Sequence, residues 1–325
     1  MTPKRILVTA QLRPIQGSRF QPTGFPDLGA AEFTLPDGGH GMLVESAQSM
    51  ANRLEAVCWD EDRIDLIAPL TGLPYVISHL PDGSRTNSIS EAHRLNSPYI
   101  VHSKEFAAIA EAIGFQKGRP FDRRKLAQAL LRYDPNSLLH GVFLEKVGGV
   151  VRLPRALSAF IEADGVRVAS SGGVKIDRVQ PATENPTYGK AEDGYGNVPH
   201  HRDEYTAENI RAYFSLDLAL LNGLGLPQVA VHMLRDLAIF KIAALLDSGL
   251  RLRTACDLQV FDVTATIDGR PYNIPSIADA TDFVEIAVEK CVKNDPPLFA
   301  GITEVTYDPK VSAPKAAKGP KKAKS

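Results

Sequence analysis

Cysteine is scarce in this chain: three residues, Cys58, Cys256 and Cys291, in 325. They are odd in number, far apart and in no metal-ligand spacing, which excludes a disulfide framework and suits a reducing cytoplasm. Each is expected to be buried as a small hydrophobe. Long apolar runs are absent too. No stretch of about eighteen apolar residues occurs, so neither a membrane span nor a membrane partner is expected. The opening MTPKRILVTAQLRP holds too short an apolar run for a signal peptide and passes straight into a strand pattern. No Walker-type or dinucleotide-binding glycine motif stands between a strand and a helix, and Gly38-Gly39-His40-Gly41 reads as a tight turn. No cofactor and no metal are expected.

What remains is an ordinary globular composition, 44% hydrophobic and 23% charged, long enough for one large domain or two. The net charge of −1 does not by itself point to a nucleic-acid binder. Residues 310–325 carry Lys310, Lys315, Lys318, Lys321, Lys322 and Lys324 and no acid, so the remaining body stands near −7. Any nucleic-acid groove must then be a local cationic track on an acidic body. The tail itself, with Ala, Pro and Gly between its lysines, is expected to be disordered, either solvated or touching phosphates without a fixed partner.

Ile6, Val8, Ala10 and Leu12 alternate with Leu7, Thr9, Gln11 and Arg13, a strand with one buried face that ends before Pro14. Residues 14–41 are rich in Gly and Pro and read as a long loop. Arg19, Phe20 and Phe25 are its candidates for ligand contact; equally, the two phenylalanines pin the loop to the body. Residues 60–137 read as a separate, mostly helical insertion, with helices over 103–113 and 122–133. Arg123, Arg124 and Lys125 open the second of these against its dipole, so they face solvent or a partner. A strand over 138–144 and a short helix around 155–163 follow. Val166 and Val168 begin another strand, residues 180–204 read as a protruding loop or irregular hairpin, and Ile210 to Leu218 alternate as a strand. Pro227 opens a helix to about Asp247 that is apolar nearly all round. Strands at 250–254, 258–265 and 302–307 and a helix at 278–290 complete the chain.

The stretch Val44–Asp60, VESAQSMANRLEAVCWD, places Val44, Ala47, Ala51, Leu54 and Cys58 on one helical stripe. Its polar face carries Ser46, Gln48, Ser49, Asn52 and Arg53. Hydroxyl, amide and guanidinium groups beside a helix N-terminus suit phosphate oxygens, although most amphipathic helices simply present such a face to water.

The string S-x-Q-S-x-x-x-R (Ser46, Gln48, Ser49, Arg53) resembles the first-helix motif of CRISPR surveillance-complex backbone subunits, the RAMP superfamily. The preceding GSRFQPTGFPDLGAA with LVESAQSMANRLE closely resembles the backbone subunit of the type I-G complex, formerly I-U. The similarity continues at SSGGVKIDRVQ, GYGNVPHHRDEYTAENIRAYFSLDLALL and SGLRLRTACDL, and more loosely at GVVRLPRALSAF.

The order strand–helix–insert–strand–strand–helix–strand is compatible with a ferredoxin-like core. The resemblance implies an α+β fold: a modified ferredoxin-like (RNA-recognition-motif) palm over 1–59, 138–178 and 206–309, a finger insertion over 60–137 and a thumb over 179–205. It further implies a non-catalytic subunit of Cascade in antiviral defence. Such a subunit binds CRISPR RNA through its backbone, lines up with copies of itself and other Cascade subunits, and supports guide pairing with target DNA. Phosphate contacts that ignore sequence suit a variable spacer. Ser46, Gln48, Ser49, Asn52 and Arg53 are the expected RNA contacts, with Arg19, Lys175 and Arg178 as supports. The ordinary aromatic sheet signature is lacking, so backbone grip rather than base stacking on the sheet is expected. The alternative is a metal-independent endoribonuclease using His200 or His201 as general base. Asp177 and Asp193 are loosely placed for the target cleavage of type III relatives, against which the type I resemblance argues.

Overall fold

Exposure along β1 (Arg5–Pro14) alternates residue by residue, with Ile6, Val8, Ala10 and Leu12 buried and Leu7 and Arg13 open. This strand is the centre of the fold in the computed structural model, which describes residues 2–25, 29–115, 121–149, 151–175 and 198–311. The loop after it carries β2 (Glu32–Thr34) and turns back at Gly38 into β3 (His40–Glu45). Ser46 then caps α1 (Ala47–Ala56).

The helix is therefore shorter than the apolar stripe suggests. Val44 and Glu45 belong to β3, because their backbone is committed to the sheet and the Ser46 side chain starts the helix by accepting from the Ser49 amide. Phe20 is wholly buried, and its backbone bridges to Tyr205. It pins the long loop rather than offering a ligand contact; the Phe25 side chain lies outside the described ones.

The insertion after α1 contains β4 (Val76–His79), β5 (Arg85–Asn87), α2 (Phe106–Ile113) and α3 (Arg123–Tyr133). Gly114 ends α2 in the left-handed conformation and Asp122 caps α3. Residues 138–144 are not one strand. α4 (Asn136–His140) ends at Gly141, whose φ of +76° suits glycine, and only Val142–Leu144 is extended, pairing with Val151–Leu153.

The largest correction is β6 (Leu157–Asp164), where the sequence suggests a helix. Its residues LSAFIEAD bury every second side chain, and strands on both sides hold it. Period two with two bonded neighbours overrides the helix-favouring alanines. Next come β7 (Arg167–Lys175) and β8 (Val198–Thr206), a two-stranded ribbon that begins well before residue 179. β9 (Asn209–Asp217), α5 (Gln228–Asp247), β10 (Leu250–Arg253), β11 (Cys256–Ile267), α6 (Ile277–Val292) and β12 (Thr303–Thr306) follow.

The main sheet runs β10-β11-β1-β9-β6-β3-β2, every neighbour antiparallel, with Arg270–Pro271 added beside β11. α1 and α5 lie against one face, so Ala230, Leu234, Leu237 and Phe240 meet Ile161, Phe214 and Leu54 in one core. The other face carries Thr9, Gln11, Ser158, Tyr213 and Phe160, the last two with ring centroids 5.2 Å apart. β12 lies parallel to β4, which pairs with β5, so the insertion holds a three-stranded sheet that ties it to the C-terminal part of the chain. All three cysteines are buried. Among the described residues, no helix is long and apolar enough to cross a membrane.

Phe20→Ala removes a fully buried ring and is expected to lower the unfolding free energy by about 3 kcal/mol. A urea titration checks this; an unmoved midpoint would mean that Phe20 does not anchor the loop.

Candidate nucleic-acid interface

The residues expected on the first helix divide between two tasks. Ser46 is spent as the cap, its Oγ 3.2 Å from the Ser49 amide. Arg53 turns inward: its guanidinium donates to the carbonyls of Arg251 and Leu252 and lies 3.5 Å from the Glu45 carboxylate. Glu45 is buried and also accepts from Arg253, which donates to the Gln21 carbonyl. Gln48 and Asn52 stay outside, one turn apart and bonded at 3.3 Å, and Gln48 Oε1 accepts from Arg155.

Arg19 sits elsewhere, at the ribbon. It donates to Ser171 Oγ and lies 3.0 Å from Glu204, a buried carboxylate that Arg202 also holds. Glu45 and Glu204 are thus each gripped by two arginines. Each group keeps one net positive charge, and its guanidiniums are fixed by the fold. Arg178, Asp177 and Asp193 lie outside the described residues. Of Lys175 and His200 only the backbone is described, within the ribbon. His201 is exposed, with Nε2 3.6 Å from Asp203.

Gln48 leads into an open cleft of about 1410 Å³. One wall is the turn at His93–Asn96, another the start of α3 with Arg123 and Arg124, and a third the hairpin of Val142–Leu144 and Val151–Leu153 with Arg152 and Arg155. Among the described residues, five arginines line it against one carboxylate, Glu145. Among the described residues, no carboxylate pairs with Arg123, Arg124, Arg152 or Arg155. Their geometry is nonetheless set. Arg124 Nε donates to the Gly225 carbonyl at 3.0 Å, Arg155 Nε to the His140 carbonyl at 3.1 Å, and Arg152 lies over the Phe143 ring. Unpaired guanidiniums converging on a cleft attract a polyanion, and their planar forks suit phosphate oxygens.

Beneath the cleft is a buried polar network. Arg94, at φ +52°, grips Glu55 of α1 with two bonds of 2.6 and 2.7 Å and reaches the Gly141 carbonyl. A Cβ on Gly141 would stand 2.8 Å from the Leu153 carbonyl oxygen, so glycine is required where the hairpin closes on this network. Lys241 of α5, wholly buried, donates to Asn136 and to His140 Nε2 at 2.8 Å. Burial, then the Lys241 charge, hold His140 well below its ordinary value, so its ring is neutral and accepts from Lys241. His140 Nδ1 and Asn96 Oδ1, both on cleft residues, have no partner among the described residues.

Arg123 and Arg124, expected to face solvent or a partner, both line the cleft. Arg94, Arg152, Arg155 and Phe143 were not expected there. The signal for two of them lies in GVVRLPRALSAF, where the residues around Pro154 are spaced on an extended chain. Among the described residues, no group of three or more His, Cys, Asp and Glu is placed to hold a metal ion.

The main sheet is antiparallel in an α+β fold, and an open, arginine-lined cleft lies beside α1. Residues 6–168, half of the chain, match the family described as CRISPR-associated protein GSU0053, and the chain belongs to that family. The matched segment contains all five cleft arginines. Two solved structures are similar at low identity. One, described as "CRISPR RNA-guided surveillance complex, pre-nicking", is 13% identical, covering 92% of this chain and 96% of that one, with a TM-score of 0.39. The other, "CRISPR RNA-guided surveillance complex", is 14% identical, covering 90% and 85%, with a TM-score of 0.35. No curated protein matches.

Asp134, in the network below the cleft, is pushed up to about 6, by burial first, against the Ser137 hydrogen bond and the Arg94 and Lys241 charges. The folded chain therefore keeps a proton that the unfolded chain releases above about pH 4. This contribution to stability is present at low pH and fades as pH rises towards 6. Relative to the native protein, Asp134→Asn is expected to gain stability steadily between about pH 4 and pH 6.5. Parallel stability–pH curves for the two proteins would contradict this.

Proposed function

We propose that this CRISPR-associated chain is a non-catalytic backbone subunit of a Cascade-type surveillance complex, of the type I-G kind within the RAMP superfamily. It holds guide RNA by phosphates in the arginine cleft. Copies line up along one RNA in the cytoplasm, beside other Cascade subunits, and leave the guide free to pair with target DNA.

The observation that carries this reading is the cleft itself. Four arginines without carboxylate partners among the described residues converge there on a body whose acidic balance would otherwise repel RNA. Contacts of this kind read the backbone and ignore base sequence, as a variable spacer requires. The sheet supports it too. β1, α1, β6, β9, α5 and β11, in the spatial order β11-β1-β9-β6, follow the βαββαβ arrangement of a ferredoxin-like palm. Residues 60–137 are then the finger insertion and the β7–β8 ribbon is the root of the thumb. The first helix serves this seat through Gln48, to which Asn52 is bonded, while Ser46 and Arg53 hold the helix in place.

The endoribonuclease alternative rests on His200 and His201. His201 stands open on the ribbon beside Asp203, away from the residues that line the cleft.

The test is co-expression with a CRISPR array and the partner subunits, followed by particle mass and RNA extraction. A large particle with guide RNA of uniform length is expected. Arg123→Glu combined with Arg155→Glu should cut retained RNA at least about tenfold, and should lower the slope of log affinity against log salt by roughly 0.7 for each phosphate no longer neutralised. Full RNA retention in that variant would overturn the reading. Shortening of added repeat RNA that His201→Ala abolishes would favour the nuclease.

A further inference from the structure

The cleft holds one side chain that phosphate binding does not explain. Phe143 is 40% exposed, between Val142 at 7% and Leu144 at 0%. The extended backbone of the hairpin turns its neighbours into the core and this ring outward, onto the cleft lining. Among the described lining residues it is the one phenyl, phenol or indole. Leaving so large an apolar ring open forgoes the stabilisation that burial would bring, amid four arginines that favour anions.

Its partner gives the arrangement a direction. Arg152 stands directly across the hairpin from Phe143, and its guanidinium carbon lies 4.5 Å from the ring centroid. The two strands therefore hold a guanidinium over a phenyl ring as one unit. Aromatic rings and guanidinium planes are the surfaces on which unpaired nucleobases stack. A ligand that satisfies this cleft must offer both phosphates and a free π-face at close spacing. A single-stranded nucleic acid does so; a duplex keeps its bases stacked inside.

We propose that Phe143, braced by Arg152, is a stacking seat for one unpaired base, so that the free cleft prefers single-stranded RNA to a blunt duplex while the rest of a bound strand stays open to pairing. The inference rests on the reading of the cleft as an RNA seat and adds a base contact to it. Every base has a π-face, so the contact is compatible with any guide sequence. Phe143 is a positioning residue: it fixes which nucleotide stands at the hairpin while the arginines hold the strand.

The experiment uses the full chain freed of co-purified RNA in high salt, with a fluorescein-labelled single-stranded RNA and the same sequence as a blunt duplex. The native protein should bind the single strand at least about tenfold more tightly. Phe143→Ala should lose about tenfold for the single strand, with the salt slope unchanged, and Phe143→Trp should keep the native affinity. Native-like binding by Phe143→Ala, or equal binding of duplex and single strand, would overturn the stacking seat. Arg123→Glu with Arg124→Glu separates the two ideas. If that variant loses binding and Phe143→Ala does not, the RNA seat stands without the stacking; if neither loses binding, both fall.

Discussion

The Arg94–Glu55 pair joins the three pieces that make the cleft. Glu55 comes from the last turn of α1, Arg94 from the insertion, and the Gly141 carbonyl that Arg94 also reaches from the base of the hairpin. Both side chains are buried, so each has given up its water, and burial pushes the Glu55 carboxyl up to about 7 against the pull of the Arg94 charge. Such a pair contributes little net stability, but losing one partner strands a buried charge at a cost of roughly 3–5 kcal/mol. The two-pronged fit leaves the insertion little freedom against α1. A cleft whose walls come from distant parts of the chain needs a constraint of this kind.

Charge is managed the same way across the molecule. The body is acidic, yet arginines gather where they are useful. Those at Glu45 and Glu204 are held in pairs by one buried carboxylate each, which fixes both guanidiniums and neutralises one of them. Arg124, Arg152 and Arg155 are held by carbonyls, an amide or a ring, which orient a guanidinium without neutralising it. The same residue type thus braces the fold at one place and offers positive charge at another, and the acceptor it meets decides which.

That distinction explains what was legible beforehand. The alternation of β1 and β9 and the apolar α5 are local patterns, and the structure has them as expected. β6 reads as a helix in the sequence because its alanines suit one, while its two strand neighbours come from residues 40–45 and 209–217. The intramolecular partners of Arg53 are not legible in the sequence, because its carbonyl acceptors, at 251 and 252, lie nearly two hundred positions away. The cleft was hidden for the same reason: its arginines come from three separate segments, and Arg94 takes a left-handed backbone that no short motif signals. The exposure of Gln48 and Asn52 is legible because a helix face is a local property.

The most direct measurement of the central claim is arginine footprinting with a dicarbonyl reagent, on the RNA-loaded particle and on the same protein stripped of RNA. If the cleft holds the guide, Arg123, Arg124 and Arg152 should react slowly when RNA is bound and readily when it is removed, while the exposed Arg63 changes little. Equal reactivity of the three cleft arginines in both states would contradict the account.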